Sequence, residues 1–461
     1  MNLNVPRGGA AAAAAMHRAR AGGGPARRST RRRRRSDPTD GTPAMLMPQR
    51  TLKMLLRLLA LRAVAPVAAE PQHEGFSVQW LGSWKLAGCG GANRTCAHEP
   101  WPSSLPEQGA SANFHRRVFL FGQGLGHYPY VNSSGGMING GLPQSPAFNL
   151  SSHLVQVRAD LRAFAAVAGR AAPGSLLPDD RAYCCIDWEA AYPMLELGSN
   201  EHNMNLSMAL AKTGSPAASD AELAQIAVRE FNGAVQRLWL ETLTTAQDVI
   251  PACNWGFYGL PRVFNMGGGY SDDDKALHDR LLPLLAASDA LYPAVYLHYR
   301  SLDRSDAAYR QNSWLVRSTV QEGRRLLSQL PAPRLSRKRT GVLDQRQVVP
   351  WVMFEYLANA PDPAVRGQVV SALDMNLQLD ASAAEGCATV LMYEDGTTKN
   401  LTGATGLLRD AIVPTTTKLS TDALACRTGV CHGHGRCVAN QTACECDLGW
   451  GGTLCEESGV L

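Results

Sequence analysis

Two carboxylates, Asp187 and Glu189, stand two residues apart at the end of the apolar run AYCCIDWE. Such a run predicts a strand, and because successive side chains of a strand point to opposite faces, residues two apart share one face. Like charges this close do not ionise independently, so one pKa should rise. A carboxyl group that keeps its proton near neutral pH can protonate the leaving oxygen of a glycoside. Because Asp-x-Glu is a common tripeptide, a solvated loop pair or a pair of metal ligands is the competing interpretation.

Short apolar runs alternate with helical patterns between residues 76 and 415. The runs are almost continuously apolar, as expected of parallel strands that are covered on both faces and joined by helices. The predicted strands are RVFLFG ending at Gly122, AYCCIDWE ending at Glu189, NWGFYG ending at Gly259, LYPAVYL ending at Leu297, VVPWVMFEY ending at Tyr356 and ATVLMYE ending at Glu394. Helices are predicted over 273–287, 305–330 and 363–384, and another begins at the capping-box pair Ser219 and Glu222.

This alternation predicts an α/β fold, either a (β/α) barrel or a doubly wound sheet. A nucleotide-binding sheet is disfavoured because no Gly-rich phosphate loop follows any predicted strand, and the segment GMINGG lacks the required spacing. In a barrel the active site forms at the carboxyl ends of the strands. The polar and aromatic residues at the predicted strand ends, Asp187 and Glu189 among them, are therefore the candidate site.

The last 36 residues hold six of the twelve cysteines, in the spacing C-x4-C-x5-C-x6-C-x-C-x8-C. So short a segment buries too little apolar surface to fold alone, and covalent cross-links are expected. Six cysteines allow fifteen pairings, among which the spacing does not choose. A zinc site that uses His432 and His434 is the alternative, disfavoured in an exported chain. The six residues are Cys426, Cys431, Cys437, Cys444, Cys446 and Cys455.

The other six cysteines are Cys89, Cys96, Cys184, Cys185, Cys253 and Cys387. The first two are close enough in the chain to bridge a loop. The next two are adjacent inside an apolar run, which predicts buried thiols. The last two lie beside predicted strands and are predicted to be free.

The first 69 residues differ in composition from the rest. Residues 1–44 are rich in Ala, Gly and Arg and are predicted to be a disordered basic leader, with nucleic-acid binding as the alternative. Residues 45–69 join basic residues to an apolar run that ends in small residues, which predicts a signal peptide or, alternatively, a signal anchor. Residues 1–69 carry 14 Lys or Arg against two acidic residues, a charge of +12, so the total of +5 leaves −7 for residues 70–461. No nucleic-acid partner is therefore expected, and local basic residues must attract any acidic substrate.

Six Asn-x-Ser/Thr sequons support export, namely Asn93, Asn132, Asn149, Asn205, Asn400 and Asn440. No segment after the signal is apolar enough to cross a bilayer. The scattered histidines lack metal-ligand spacing, so neither a metal nor another cofactor is expected. We therefore expect a secreted or lysosomal monomer without a stable membrane span after signal cleavage.

Four motifs, CIDWEAAYP, WGFYGLP, LYPAVYL and GHYPY…GGLPQ, resemble those of the hyaluronidases, glycoside hydrolase family 56, in order and rough spacing. The cysteine-rich tail resembles an EGF-like domain, so the resemblance runs from about Phe76 to Glu456. It implies a distorted (β/α) barrel over residues 70–420 and an EGF-like domain over 421–461. The EGF-like pattern implies the disulfides Cys426–Cys437, Cys431–Cys444 and Cys446–Cys455.

The resemblance also implies roles for individual residues. Glu189 would be the acid/base, and no protein nucleophile is involved because the substrate's own N-acetyl carbonyl attacks the anomeric carbon with retention of configuration. Asp187 would position the acetamido group and stabilise the positive intermediate. The residues predicted to contact a glycosaminoglycan substrate are Tyr128, Tyr192, Tyr258, Tyr296 and Trp351. For the tyrosines the alternative is a core or rim aromatic whose hydroxyl is already hydrogen-bonded.

The chain departs from the family's pattern at positions that hold substrate. After Ala191, Tyr192 stands where an arginine thought to hold a sugar carboxylate is usual, and tyrosine has no cationic fork. Met392, with Tyr393 beside it, replaces a groove tryptophan, and Leu357 replaces an aspartate. The resemblance implies an endo-β-N-acetylhexosaminidase that acts on hyaluronan or a related glycosaminoglycan, with the preferred polymer open. A catalytically silent polysaccharide-binding protein and an EGF-mediated adhesion protein are the alternatives.

Overall fold

The computed structural model describes most of the chain after residue 75. The described residues are 76–80, 114–115, 118–132, 135–168, 182–197, 201–262, 269–331, 346–393, 406–438, 443–447 and 449–460. The predicted leader at 1–44 and signal peptide at 45–69 lie outside them, as do Cys89 and Cys96.

Short strands build the sheets. In chain order they are β1 Ser77–Trp80, β2 Phe114–His115, β3 Val118–Phe121, β4 Tyr130–Val131, β5 Met137–Ile138, β6 Ala182–Ile186, β7 Cys253–Phe257, β8 Ala290–Leu291, β9 Gln347–Val348, β10 Trp351–Met353, β11 Thr389–Tyr393, β12 Gly435–Val438, β13 Ala443–Cys446, β14 Gly449–Gly451 and β15 Glu457–Val460. Each of the six predicted strands overlaps one of these. The run VVPWVMFEY is divided into β9 and β10 around Pro350, which has no N–H to donate to a ladder.

The parallel strands pair around a ring. β11 pairs with β10 and β1, and β1 pairs with β2. β3 pairs with β6, β6 with β7, and β8 with β9. Isolated parallel bridges, Tyr258 to Tyr292 and Ala294 to Trp351, connect these groups. β2 and β3 stand at the two ends of this series of pairings, and they follow one another directly in the chain. The series therefore leads around a barrel, whereas a doubly wound sheet would end in two edge strands.

Helices connect the strands. They are α1 Leu150–Ala168, α2 Glu201–Gly214, α3 Asp220–Val249, α4 Asp272–Asp279, α5 Leu282–Ala287, α6 Ala307–Gln329, α7 Ala372–Ala384 and α8 Val413–Gly429. The capping box is confirmed, with the Glu222 carboxylate accepting from the Ser219 N–H at 2.8 Å. The helix predicted over 363–384 begins only at Ala372, because the preceding segment turns at Gly367, whose φ is 64°. Among the described residues no helix is both long and apolar enough to cross a membrane.

Side chains alternate between the two faces of the barrel wall. On β6, Tyr183 and Cys185 belong to the cluster that fills the barrel interior. Cys184 and Ile186 belong to the cluster between the wall and the helices. This period of two decides which way the residues after β6 point.

A disulfide joins β6 to β7. Cys184 bonds Cys253 across a sequence separation of 69, from neighbouring parallel strands whose side chains share the helix side of the wall. The predictions that Cys184 is a buried thiol and that Cys253 is free are therefore wrong, because so distant a partner leaves no local signal. Cys185 is a free, buried thiol, as predicted, and Cys387 is also free and buried.

The helix α8 leads from the barrel into the C-terminal module and passes through the boundary predicted at residue 420. Two antiparallel hairpins follow, β12 with β13 and β14 with β15. The disulfides of the module are Cys426–Cys437, Cys431–Cys444 and Cys446–Cys455, the pairing that the EGF-like pattern implies. In the part of the chain that the structure describes, the one group with metal-ligand spacing consists of these bonded cysteines, so they offer no zinc site.

Candidate active site

Asp187 and Glu189 follow β6 at its carboxyl end. The Asp187 N–H donates to the carbonyl of Phe121 at 2.9 Å, which extends the ladder between β3 and β6 by one residue. Since Tyr183 and Cys185 face the barrel interior, the period of two turns both carboxylates toward the barrel mouth. The two carboxyl groups are close enough for Asp187 to affect the pKa of Glu189. The structure thus brings the predicted pair together at the end of the barrel where active sites form.

Desolvation raises the pKa of the Glu189 carboxyl, while the positive charge of Arg262 and the interaction with the Asp187 side chain partly offset that rise. Glu189 is exposed, although neighbouring protein atoms surround its carboxyl group and limit its solvation. The direction agrees with the sequence-based expectation, whereas the cause is desolvation and not repulsion by Asp187. A raised pKa keeps a proton on Glu189 closer to neutral pH, as a general acid requires.

Trp188, between the two carboxylates, anchors the segment on the helix side of the wall. Its ring stacks on that of Tyr128, with centroids 4.5 Å apart, and its indole N–H donates to the Gly122 carbonyl at 3.3 Å. The Tyr128 hydroxyl accepts from the Ala191 N–H at 2.8 Å and donates to the Ala191 carbonyl at 3.2 Å. Tyr128 is wholly buried. Contrary to prediction, it therefore supports the carboxylate segment from behind and does not line the groove.

Tyr258 and Tyr296 face the mouth beside the carboxylates. Their ring centroids are 6.2 Å apart. Burial raises the pKa of both hydroxyls, and the negative charges of Asp187 and Glu189 raise it further, so both keep their protons. Gly256 lies on β7, two residues before Tyr258. A Cβ atom added to Gly256 would lie 2.3 Å from a backbone oxygen of β8, so the close approach of these strands requires glycine.

Trp351 lies beneath these tyrosines on β10 and is wholly buried. Its ring meets those of Tyr258 and Tyr393 edge-on, with centroids 6.2 Å away in both cases. The prediction that Trp351 contacts substrate is wrong in this structure, because no part of the side chain is exposed. Met392 packs on the helix side, whereas Tyr393 faces the interior and stacks on Tyr296 at 6.1 Å. Tyr393 was missed as a site residue, although the period of two along β11 identifies it.

Tyr192 lies near the carboxylate pair and is partly buried. The guanidinium carbon of Arg262 lies 3.8 Å from the centroid of its ring. Burial raises the pKa of Tyr192 to about 12, with the charge of Arg262 opposing the rise and that of Glu189 adding to it. Arg262 was also missed, although it stands four residues after Tyr258 and directly follows the motif WGFYGLP.

An acid with a raised pKa and a second carboxylate at the mouth of a parallel barrel are groups that glycoside hydrolysis requires. A sequence model of the family described as Hyaluronidase, glycoside hydrolase family 56, matches residues 107–450. The chain belongs to the hyaluronidase family.

Known relatives agree with this assignment. Human Hyaluronidase-2 is 28% identical over 331 residues, which are 68% of this chain and 62% of that protein, so the chain spans less than two thirds of its length. Human Hyaluronidase-3 is 27% identical over 368 residues, 72% of this chain and 79% of that protein. Bee venom hyaluronidase, solved in complex with a hyaluronic acid tetramer, has a TM-score of 0.54 at 20% identity and covers 75% of this chain and 99% of its own. The likeness to the bee protein establishes the fold.

Proposed function

We propose that this protein is an endo-β-N-acetylhexosaminidase that cleaves hyaluronan or a related glycosaminoglycan with retention of configuration. The observation that carries the proposal is the pair of carboxylates, Asp187 and Glu189, that follows β6 at the barrel mouth, with the pKa of Glu189 raised by desolvation. Membership of a family of glycoside hydrolases supports the same reaction.

The reaction proceeds in two steps. Glu189 gives its proton to the glycosidic oxygen as the bond from that oxygen to the anomeric carbon breaks. The carbonyl oxygen of the substrate's acetamido group attacks the same carbon from the opposite face and forms a cyclic oxazolinium ion. Water then attacks the anomeric carbon and gives a proton to the Glu189 carboxylate, which reopens the ring and restores the acid. Two inversions at one carbon produce net retention.

A protein nucleophile does not suit this geometry. In retaining enzymes with two carboxylates, acid and nucleophile flank the sugar about 5–5.5 Å apart, whereas Asp187 and Glu189 stand two residues apart at the end of one strand. Asp187 is therefore assigned to the acetamido group, where its negative charge stabilises the oxazolinium ion. The hydroxyls of Tyr258 and Tyr296 lie within electrostatic range of both carboxylates and are assigned to hydrogen bonds with the same group.

A reducing-end assay on hyaluronan and chondroitin sulfate tests the proposal. Glu189→Gln keeps the shape of the side chain but cannot supply the proton, so turnover should fall by about 100-fold or more while secretion and melting temperature are retained. The matched control is Glu241→Gln, which changes an exposed glutamate of α3 that is paired with Arg237. If the folded wild-type protein releases no reducing ends from either polymer, the proposal fails and polysaccharide binding or adhesion without catalysis is favoured.

We also propose that the protein is secreted or lysosomal. The disulfide Cys184–Cys253 and those of the C-terminal module require an oxidising compartment. Asn149 and Asn205 are exposed and available for glycosylation, while three other sequons fall outside the described residues, namely Asn93, Asn400 and Asn440. Expression in animal cells should give a product that loses apparent mass on enzymatic deglycosylation. An unglycosylated cytosolic product would contradict this proposal.

A further inference from the structure

Arg262 supplies a positive charge beside the carboxylate pair. It stands just past the end of β7, partly buried, with its guanidinium group over the ring of Tyr192. Its charge acts on Glu189 and on Tyr192. Residues 70–461 have a net charge of −7, so a cation in the mouth is the kind of local feature that an acidic substrate requires.

The backbone of Arg262 is fixed by buried side chains. Its N–H donates to Nε2 of His278 at 3.2 Å, and Nδ1 of His278 is 2.8 Å from Oε1 of Glu322. Because Nε2 accepts a hydrogen bond, Nδ1 carries the hydrogen and donates it to Glu322. Arg325 in turn donates to both oxygens of Glu322, at 2.7 and 2.8 Å. Helices α4 and α6 thus hold the start of the Arg262 loop in place.

Several partly buried arginines pair with carboxylates: Arg325 with Glu322 and Asp279, Arg427 with Asp447, and Arg436 with Glu445. Others donate to backbone carbonyls, as Arg346 does to those of Ala286 and Ser288. Within the described ranges, Arg262 has no carboxylate within 4.0 Å. Its flat face rests on Tyr192, and stacking of this kind leaves the N–H groups on the guanidinium edge available to a ligand.

We propose that Arg262 binds the carboxylate of the uronic acid that adjoins the N-acetylhexosamine at the cleavage point, an inference that rests on the proposed function. The planar fork of a guanidinium group matches a carboxylate with two parallel hydrogen bonds. Tyr192 acts as the platform that orients the fork. Arg262 is thereby a specificity residue, which selects polymers with uronic acid over neutral polymers of N-acetylhexosamine.

Binding of hyaluronan oligosaccharides tests the proposal, with carboxyl-reduced oligosaccharides, in which neutral glucose replaces the uronic acid, as the matched ligand. In the Glu189→Gln background, which prevents turnover, the hyaluronan oligosaccharide should bind about 10- to 100-fold more tightly than the reduced one. Arg262→Met should abolish that preference, and Arg262→Lys should restore part of it. The control Arg237→Met, an exposed arginine of α3, should leave the preference unchanged.

The outcomes separate the two proposals. If the Arg262→Met protein keeps the preference for the hyaluronan oligosaccharide, or binds both oligosaccharides more weakly by the same factor, Arg262 does not bind the carboxylate and the inference is overturned. If the preference depends on Arg262 but the wild-type protein cleaves neither polymer, hydrolysis is refuted and the carboxylate site stands. A circular dichroism spectrum and melting temperature matching the parent establish that the Arg262→Met protein is folded.

Discussion

Replacing both Cys184 and Cys253 with alanine should destabilise the barrel by much more than the packing of two sulfur atoms explains. Their disulfide joins β6, which carries the carboxylate pair, to β7, which leads directly to Tyr258. Both cysteines are wholly buried. The cross-link therefore restrains the unfolded chain and also fixes two strands that position the site.

The magnitude follows from the length of the loop that the disulfide closes. In the chain-entropy model, a separation of 69 residues corresponds to about 15 cal/mol/K, or about 4 kcal/mol of unfolding free energy at 25 °C. Removal of the buried sulfur atoms adds about 1 kcal/mol of lost packing. The matched control is Cys185→Ala, which removes a free, wholly buried thiol from the same strand and should cost about 1 kcal/mol.

Guanidinium chloride unfolding followed by tryptophan fluorescence measures both losses. Trp188, Trp239 and Trp255 lie in the same buried cluster as the disulfide and report on its surroundings. Equal losses of unfolding free energy in the double variant and in Cys185→Ala would refute the reasoning. Thiol titration of the denatured wild-type protein is an independent check, since reactive Cys184 and Cys253 would show that the bond does not form.

Two further predictions concern the site. The proton on Glu189 is the catalytic one, so turnover should decline as the pH rises through the raised pKa of that carboxyl. Because the pKa of Glu189 is raised in the folded protein, the stability that this residue contributes is lost as the pH rises through that pKa. Glu189→Gln should therefore raise the melting temperature at pH values above the pKa and leave it unchanged at pH values below. A rise in melting temperature that does not depend on pH would contradict this reasoning. Tyr258→Phe should lower kcat/KM about 10- to 100-fold through loss of one hydrogen bond to a charged intermediate. The control is Tyr292→Phe, whose hydroxyl donates to the Asn254 carbonyl inside the barrel, and an equal loss of kcat/KM in that variant would count against Tyr258.

The sequence predicted the parts of the fold that depend on local physics. Strands buried on both faces produce continuous apolar runs, and the capping box at Ser219 and Glu222 marks a helix start within four residues. Closure of the barrel could not be predicted this way, because it uses single bridges such as Tyr258 to Tyr292 between distant segments. Cys253, the disulfide partner of Cys184, is also distant in sequence and could not be identified from local patterns.

At the site, the period of two was enough to place Asp187 and Glu189 on one face. It could not tell which aromatic residues are exposed, because exposure depends on the loops that cover them. Tyr128 and Trp351 carry motif positions but are wholly buried, whereas Tyr393 lies at the mouth. The motifs thus identified the segments that form the site, whereas packing determines which of their side chains are exposed to a substrate.

Tyr192 stands where the family usually has an arginine, and Arg262 offers a physical reason for this replacement. An acidic substrate and a desolvated acid both need a positive charge nearby, the first for attraction and the second to limit the rise in its pKa. Tyr192 alone would remove that charge, while arginines at both positions would repel each other and stabilise the ionised form of Glu189. With tyrosine at 192, the ring provides a face on which the guanidinium of Arg262 rests, 3.8 Å away. The two residues are therefore coupled, and the mouth keeps one cation although it comes from a different loop.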